Sequence, residues 1–410
     1  MRHILFFLLI ISLLTACNSE EVNVDNPPNL RALSGDEQEL IQTSNNFTFD
    51  LFKAIYQTQS DENIFISPLS VDIALAMTVN GASGDTKEVM KQTLGLENLS
   101  DEAANEAVKK LTELLLGMDR KVTLSIANSI WYQDAFTLKD GFSDLIQTYY
   151  DGTIESLNFD DPGAKDIINQ WVEGKTQGKI KDLISQIKDS DVMFLVNAIY
   201  FKADWQQQFD KEQTRESMFT LENGTQVPVQ MMFTEEAKVS RYKHTVFQLV
   251  EIPYGNGQFN MMVLLPNEGK TTGDVMNVLN GAQLEEWIAQ ADTLTPKLYL
   301  PKFKMEFKMN LKEPLTDMGM GLPFTEKAEF HEFFNEDVGE KLFIDRVIHQ
   351  SLIEVNEEGT EAAAATAVGI GLVSIDLDKL IRIDRPFVFL IRENHTGAVL
   401  FAGKMMHPEM

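Results

Sequence analysis

The residues in this sequence that could do chemistry are six histidines, one cysteine and many carboxylates. The sequence contains no Gly-x-Ser-x-Gly, no His-Glu-x-x-His and no Walker motif. "GIGLVS" at Gly369 begins like a dinucleotide-binding loop, but no helix opens after it. The histidines show no metal-ligand spacing: they are His3, His244, His331, His349, His395 and His407. The sequence therefore predicts no enzyme, no cofactor and no metal site.

The single cysteine, Cys17, follows a basic start and a short apolar run that is typical of a signal peptide. "LTAC" at residues 14–17 resembles the lipobox of bacterial lipoproteins. We expect residues 1–16 to be a signal peptide, Cys17 to be lipidated and residues 17–35 to be a flexible tether. The alternative for Cys17 is a secreted protein with an incidental cysteine, and the alternative for the acidic residues that follow it is a plain solvated linker.

The acidic "SEE" after Cys17 resembles the surface-export signals of some Bacteroidetes lipoproteins. It favours an extracytoplasmic protein, lipid-anchored in the outer membrane and exposed at the cell surface of a Bacteroidetes-type bacterium. The formal net charge of −27 makes a nucleic-acid partner improbable, because such footprints are basic.

Hydrophobic patterning predicts an α+β protein. Apolar residues at helical spacing dominate the first part of the body, and alternating strand-like segments dominate the later part. Apolar residues make up 44% of the chain, which is enough for a large core. No repeat or linker interrupts the chain after the tether, so residues 36–410 are predicted to form one domain, and we expect a monomer.

The segment "EEGTEAAAATAVGIGLVSIDL" at residues 357–377 has an unusual composition. Read with period two, one face is small and then increasingly apolar, and the other is mostly Ala and Gly. Its glycines and alanines also suit a loop, so the pattern favours a segment that serves in both states. The bland alternatives are a permanent strand and a linker. The first face consists of Thr360, Ala362, Ala364, Thr366, Val368, Ile370 and Leu372.

Five segments resemble the serpin family. "EEGTEAAAATA" looks like the hinge of inhibitory serpins, and "RPFVFLIRENHTGAVLFAGKMMHP" looks like the serpin C-terminal signature. "NIFISPLSVDIALAMTVNGASGDTKEVM", "INQWVEGKTQGKIKDLI" and "FLVNAIYFKADWQQQF" match in order and spacing. The resemblance implies a serpin fold, with a large central β-sheet, additional sheets, about nine helices and an exposed reactive-centre loop at residues 357–383.

The family resemblance implies a suicide inhibitor of serine proteases. The cleaved loop would insert into the central sheet and trap the protease in a covalent complex. The resemblance assigns Ser67, Ser70, Asn197 and His349 to a polar shutter under the sheet, and Trp205 to the breach where insertion begins. The hinge consists of Glu357, Gly359, Thr360, Glu361, Ala362, Ala363, Ala364, Ala365 and Thr366.

The resemblance also places the scissile bond about seventeen residues into the loop, at Val373–Ser374. A short aliphatic residue there favours elastase-like proteases. The slightly long segment after Ser374 leaves Leu372 as an alternative bait, which would suit chymotrypsin-like enzymes. Lys379 and Arg382 would suit trypsin-like proteases as bait residues, but they lie too far along the chain. The alternative function is a serpin-fold surface binding protein that does not inhibit.

Overall fold

The computed structural model describes residues 30–188, 191–335, 342–360 and 379–408. These ranges contain nine α-helices, and four of them precede residue 118. The helices are α1 Gly35–Thr58, α2 Pro68–Val79, α3 Gly84–Leu94, α4 Asp101–Gly117, α5 Phe142–Tyr150, α6 Ala164–Lys175, α7 Thr272–Val278, α8 Gly281–Ala289 and α9 Lys312–Asp317.

Local side-chain chemistry fixes where the first helices begin and end. Ser34 and Glu37 form a reciprocal capping box at the start of α1, and each side chain accepts a hydrogen bond from the other residue's backbone N–H. Pro68 occupies the first turn of α2, where a missing N–H costs nothing. Gly95 ends α3 in the left-handed conformation, at φ 68°.

The strands of the described ranges form three sheets. They are β1 Ile64–Ile66, β2 Val122–Gln133, β3 Thr153–Leu157, β4 Met193–Asp204, β5 Arg215–Thr220, β6 Gln226–Thr234, β7 Val239–Lys243, β8 Phe247–Pro253, β9 Phe259–Pro266, β10 Asp292–Leu294, β11 Lys297–Pro301, β12 Phe303–Asn310, β13 Arg346–Val355, β14 Gly359–Thr360, β15 Leu380–Arg382, β16 Phe387–Glu393 and β17 Val399–Met405. The sheet orders are β1-β17-β16-β9-β8-β7-β10, β15-β11-β6-β5 and β12-β13-β14-β4-β2-β3.

The six-stranded sheet has two different halves. In its lower half, β13 and β4 pair directly and in parallel, from Arg346 opposite Phe194 to Gln350 opposite Ala198. Within the described residues this direct pairing stops there, and at the upper end β14 lies between the two strands. The sheet is therefore closed below and split above.

Two apolar clusters pack against opposite faces of β4, because its side chains alternate between the two faces. Ile199, Phe201 and Ala203 belong to the main core. Phe194, Val196 and Ala198 belong to a second cluster that includes Ile168 and Val172 of α6. Helix α6 therefore covers the lower half of one face of the sheet.

The predicted α+β class is confirmed. The described part of the chain has nine helices and a large sheet with two further sheets. Helix α1 begins at Gly35, one residue before the predicted domain boundary. The exposed loop predicted at residues 357–383 differs from the structure at both of its described ends. Gly359 and Thr360 are a buried strand, and Leu380–Arg382 form β15, which pairs with β11 and buries Ile381.

Candidate functional site

The first two strand residues of the predicted hinge lie inside the six-stranded sheet. Gly359 is opposite Asp204, and Thr360 is opposite Ala203 on β4 and Val355 on β13. The added strand is antiparallel to both neighbours. Thr360 is only 1% exposed, so the first residue of the predicted inward face is already buried.

Gly359 is required by the close approach of two backbones. A Cβ atom at this position would lie 2.0 Å from the carbonyl oxygen of Ala203 and 2.5 Å from the Cα of Asp204. Neither of these atoms can move away as the end of a flexible side chain could. Only glycine allows the chain to enter the sheet at this point.

A tight turn at Asn356 reverses the chain between β13 and β14. The Asn356 side-chain oxygen accepts hydrogen bonds from the N–H groups of Glu358 (3.0 Å) and Gly359 (3.2 Å). The Asn356 N–H donates to the Gly359 carbonyl at 2.8 Å. Trp205 fastens the same turn to β4, because its indole N–H donates to the Asn356 carbonyl at 2.8 Å and its backbone N–H donates to the Glu358 carbonyl at 2.8 Å.

An aromatic pair lies directly beneath the docked hinge. The rings of Trp205 and Tyr254 stack with centroids 4.3 Å apart and planes 7° apart. The Tyr254 hydroxyl and the Thr360 hydroxyl share a hydrogen bond of 2.9 Å. Burial raises the pKa of the Tyr254 phenol well above its ordinary value, so the phenol stays protonated.

Glu357 anchors the base of the hinge through its buried carboxylate. The side chain of Glu357 is 5% exposed, and Lys302 pairs with it at 3.1 Å. Thr214 donates its hydroxyl to the same carboxylate at 2.8 Å. Burial alone would raise the pKa of the Glu357 carboxyl, but its backbone, Thr214 and Lys302 together hold that pKa below its ordinary value.

The predicted shutter residues form one hydrogen-bonded cluster. Asn197 donates through its amide to the Ser70 carbonyl at 2.9 Å and to the Asn128 side chain at 2.7 Å. The Asn197 side-chain oxygen lies 3.0 Å from His349 Nδ1. The Ser67 N–H completes the cluster by donating to His349 Nε2 at 3.1 Å. The cluster links the start of α2 to β2, β4 and β13.

The hydrogen bonds of His349 define its protonation state. A backbone N–H can only donate, so Nε2 must be the unprotonated nitrogen and Nδ1 carries the proton that Asn197 accepts. Complete burial lowers the pKa of His349 to about 3. A second proton would also set two donors against each other at Ser67. The ring is therefore neutral at physiological pH.

Helix α6 is fastened over the closed half of the sheet by the segment that follows it. The Asn169 side chain accepts a hydrogen bond from the Ile184 N–H at 2.7 Å and donates to the Ile184 carbonyl at 2.9 Å. At the lower edge, the carboxylate of Asp191 is buried and pairs with Arg346. A strand entering between β13 and β4 would have to pass beneath α6.

The structure therefore brings together the four predicted shutter residues, and it places Trp205 beside the described hinge residues Glu357, Gly359 and Thr360. Sequence reasoning missed Tyr254, Lys302, Thr214, Asn128 and Asn356. None of these carried a local signal, and even Asn128 lies in a strand that contains several other polar residues. The remaining predicted residues lie outside the described ranges: Cys17, Glu361, Ala362, Ala363, Ala364, Ala365, Thr366, Leu372, Val373 and Ser374.

Across the described ranges, no group of three or more His, Cys, Asp or Glu side chains is placed to hold a metal ion. Among the helices that the structure describes, none combines the length and the apolar character that a bilayer crossing needs.

Sequence comparison identifies related proteins along nearly the whole chain. The family model described as "Serpin (serine protease inhibitor)" matches residues 42–408. An uncharacterized serpin-like protein of Thermococcus kodakarensis is 33% identical over 388 residues, covering 92% of this chain and 87% of the relative. Leukocyte elastase inhibitor of Xenopus laevis is 34% identical over 382 residues, covering 90% of this chain and 100% of the relative.

Comparison with solved structures also identifies similar proteins over most of the chain. The native-state crystal structure of tengpin, a thermophilic serpin, matches with a TM-score of 0.83 at 32% identity, covering 93% of this chain and 97% of tengpin. Human thyroxine-binding globulin matches with a TM-score of 0.83 at 28% identity, covering 92% of this chain and 100% of the globulin.

Proposed function

The chain belongs to the serpin family, and we propose from that premise that it is a suicide inhibitor of serine proteases. The protease serine would attack the carbonyl carbon of Val373, forming an ester while the peptide bond to Ser374 breaks and the new amine leaves. The freed loop would then enter the six-stranded sheet and carry the attached protease with it. The observation that supports this most directly is the docked hinge, in which Thr360 is already a strand residue between β13 and β4.

The strand register of the docked residues supports insertion of the rest of the segment. If the pairing of Thr360 with Ala203 and Val355 continues, Thr366 falls between Asn197 and His349. Thr366 is the only polar residue on the inward face between Thr360 and Leu372. It would thus meet the polar shutter, while Ala362, Ala364 and Val368 would meet core positions. This agreement between sequence and register is what an inserting segment needs.

The outward face of the segment also suits the closed half of the sheet. In the same register Ala365, Ala367 and Gly369 fall opposite Ala198, Val196 and Phe194, the β4 residues packed under α6. A strand that slides beneath a packed helix has little room for side chains. The run of tiny residues on that face is accounted for by this requirement.

The proposed bait is Val373, which would favour elastase-like proteases, with Leu372 and chymotrypsin-like proteases as the second choice. Val373 lies thirteen positions after Thr360, so full insertion would place the ester about 45 Å from Thr360 along the sheet. The similarity to a leukocyte elastase inhibitor is in keeping with an elastase-type target. The lipid anchor at Cys17 and an outward-facing surface location complete the proposal.

The test is a panel of pancreatic elastase, chymotrypsin and trypsin, each incubated with the protein and resolved on an SDS gel. We expect an SDS-stable complex with elastase and a released C-terminal peptide that begins at Ser374 by mass spectrometry. A peptide beginning at Leu380 or Ile383 would refute the assigned bond. Val373→Arg should move trapping toward trypsin, whose pocket pairs with a cation. Elastase with a blocked active-site serine is the control and should form no complex.

Cleavage without any covalent complex would instead support the alternative, a surface binding protein that does not inhibit. The similarity to thyroxine-binding globulin is the observation that favours this alternative. The docked Thr360 and the small residues that follow it favour inhibition, because a permanent binding protein needs neither.

A further inference from the structure

Tyr254 contacts the hinge residue Thr360 in addition to its packing partners in the core. It follows β8 and forms an isolated bridge with Trp205. The residue is fully buried, and its ring contacts Trp205 on one side and Phe201 of β4 edge-on at 5.5 Å. The hydroxyl is aimed into the split between β13 and β4, where it meets Thr360 at 2.9 Å. The phenol thus forms a polar floor under the point at which the hinge enters.

The neighbours of Tyr254 hold it rigidly in place. The Gly255 N–H donates to the Asp204 carbonyl at 2.8 Å, and the Gly257 N–H donates to the Tyr254 carbonyl at 2.7 Å. The Asp119 carboxylate accepts from the Asn256 N–H at 2.7 Å. Gly255 has φ +47°, and a Cβ there would lie 2.1 Å from the Asp119 carboxylate. The hairpin turn therefore presents the Tyr254 hydroxyl at a fixed position.

We infer that Tyr254 is a positioning residue that docks the hinge before the protease arrives. The hydrogen bond to Thr360 holds the first strand residue in the split sheet, so insertion extends a strand that is already started. If the hinge left, the Thr360 hydroxyl would be hydrated, but the buried Tyr254 hydroxyl would lose its partner, which biases the equilibrium toward the docked state. The inference rests on the proposed inhibitory function, because only an inserting loop makes use of a docked start.

The first test measures the intact protein without a protease. Amide hydrogen exchange at Gly359 and Thr360 is compared in the wild type, Tyr254→Phe and Tyr150→Phe. Tyr150 is the matched control, because it is also a buried tyrosine and its hydroxyl donates to Asn105 at 2.5 Å, far from the hinge. We expect about fivefold faster exchange in Tyr254→Phe, the factor for one lost net hydrogen bond, and none of this increase in the control. Equal exchange in all three proteins would overturn the inference.

The second test measures the consequence for inhibition. The ratio of covalent complex to cleaved inhibitor at fixed elastase should fall about fivefold in Tyr254→Phe and in Thr360→Val. The double variant should be no worse than either single variant, because both remove the same hydrogen bond. Effects that multiply would contradict the inference. Should the wild type form no complex, the proposed function fails, while the exchange experiment still decides whether Tyr254 docks the hinge.

Discussion

His349 and Asn197 lie directly opposite each other on β13 and β4, with Nδ1 and Oδ1 3.0 Å apart. Only one further residue pair, Gln350 and Ala198, follows before the direct pairing of the two strands stops. The polar cluster thus lies at the upper end of the closed half of the sheet. A strand inserted from above must break this hydrogen bond, so the cluster opposes insertion until the new strand replaces it.

Thr360→Arg should abolish inhibition and preserve cleavage. The guanidinium would have to be buried beside Tyr254 without a counter-charge, which costs at least about 3 kcal/mol and slows insertion roughly a hundredfold. Deacylation then wins, and the variant becomes a substrate. The measurement is the ratio of covalent complex to cleaved product at fixed elastase. Thr225→Arg is the control, because Thr225 is an exposed threonine at the end of a turn and should accept the same side chain. Equal trapping by Thr360→Arg and the wild type would show that this face does not enter the sheet.

Gly359→Ala should expel the docked hinge. The added methyl group would lie 2.0 Å from a backbone oxygen that belongs to a paired strand, so β14 must leave its place. We expect faster amide exchange at residues 359–360 and a larger cleaved fraction with elastase. Gly35→Ala is the matched control, since nothing lies within 4 Å of its Cβ position. Unchanged exchange in Gly359→Ala would mean that the hinge does not occupy the sheet in solution.

The Lys302→Ala substitution should destabilise the wild-type protein more than it destabilises the Glu357→Gln variant. Removing the ammonium leaves a carboxylate that is 5% exposed with Thr214 as its remaining side-chain partner, at a cost of about 1.5–3 kcal/mol. In Glu357→Gln there is no buried charge left to compensate. Urea unfolding of the four proteins measures the coupling. Equal effects in both backgrounds would show that the ion pair contributes nothing.

The His349→Gln variant should be less stable than the wild type at pH 7. This difference in unfolding free energy should become smaller as the pH falls. The unfolded chain binds a proton at His349 below about pH 6.5, whereas the folded protein binds it only near pH 3. The wild type therefore loses stability through this group as the pH falls, and the variant does not.

The difference in unfolding free energy at pH 7 should accordingly shrink by up to about 2 kcal/mol at pH 5. Asp72 titrates with the opposite sign, because burial raises its pKa to about 7, but it is present in both proteins and cancels. A difference that stays constant with pH would show that His349 is not buried as a neutral ring.

Cys17→Ala should release the protein from the membrane or leave it unprocessed. Cell fractionation and a mass measurement of the N-terminal peptide test this, with Asn18→Ala as the control that should stay anchored. Surface proteolysis of intact cells tests the outward orientation. Full protection of the body in intact cells would indicate the periplasmic face instead.

The fold was predictable because the serpin resemblance spans almost the whole chain, and the serpin fold is confirmed by the family match and the structural neighbours. The inward position of Thr360 followed from period two together with the absence of charge on its face. The sequence could not show that Thr360 would already be docked, because the same small residues suit a loop and a strand. That choice depends on contacts made far away in the chain.

The contacts around the hinge illustrate this limit. Tyr254 lies 106 residues from Thr360, and nothing in "EIPYGNGQF" indicates that its hydroxyl needs the hinge. Lys302 lies beside an alternating strand in which every other residue is exposed, so it resembles an ordinary surface lysine. Its partner Glu357 is 55 residues away. Such pairings arise from the packing of the sheets, which local patterns do not encode.

The docked residues Gly359 and Thr360 also fix the register of any strand that continues from them. A strand that joins a sheet can pair with its register shifted by one residue. Such a shift would turn Glu361 toward the core and would exchange the inward and outward faces of the alanine run. With Gly359 and Thr360 already docked, the strand register is set once, when the protein folds. If the protein inhibits proteases as proposed, every molecule would start insertion from the same register, and no search for the register would delay insertion relative to deacylation.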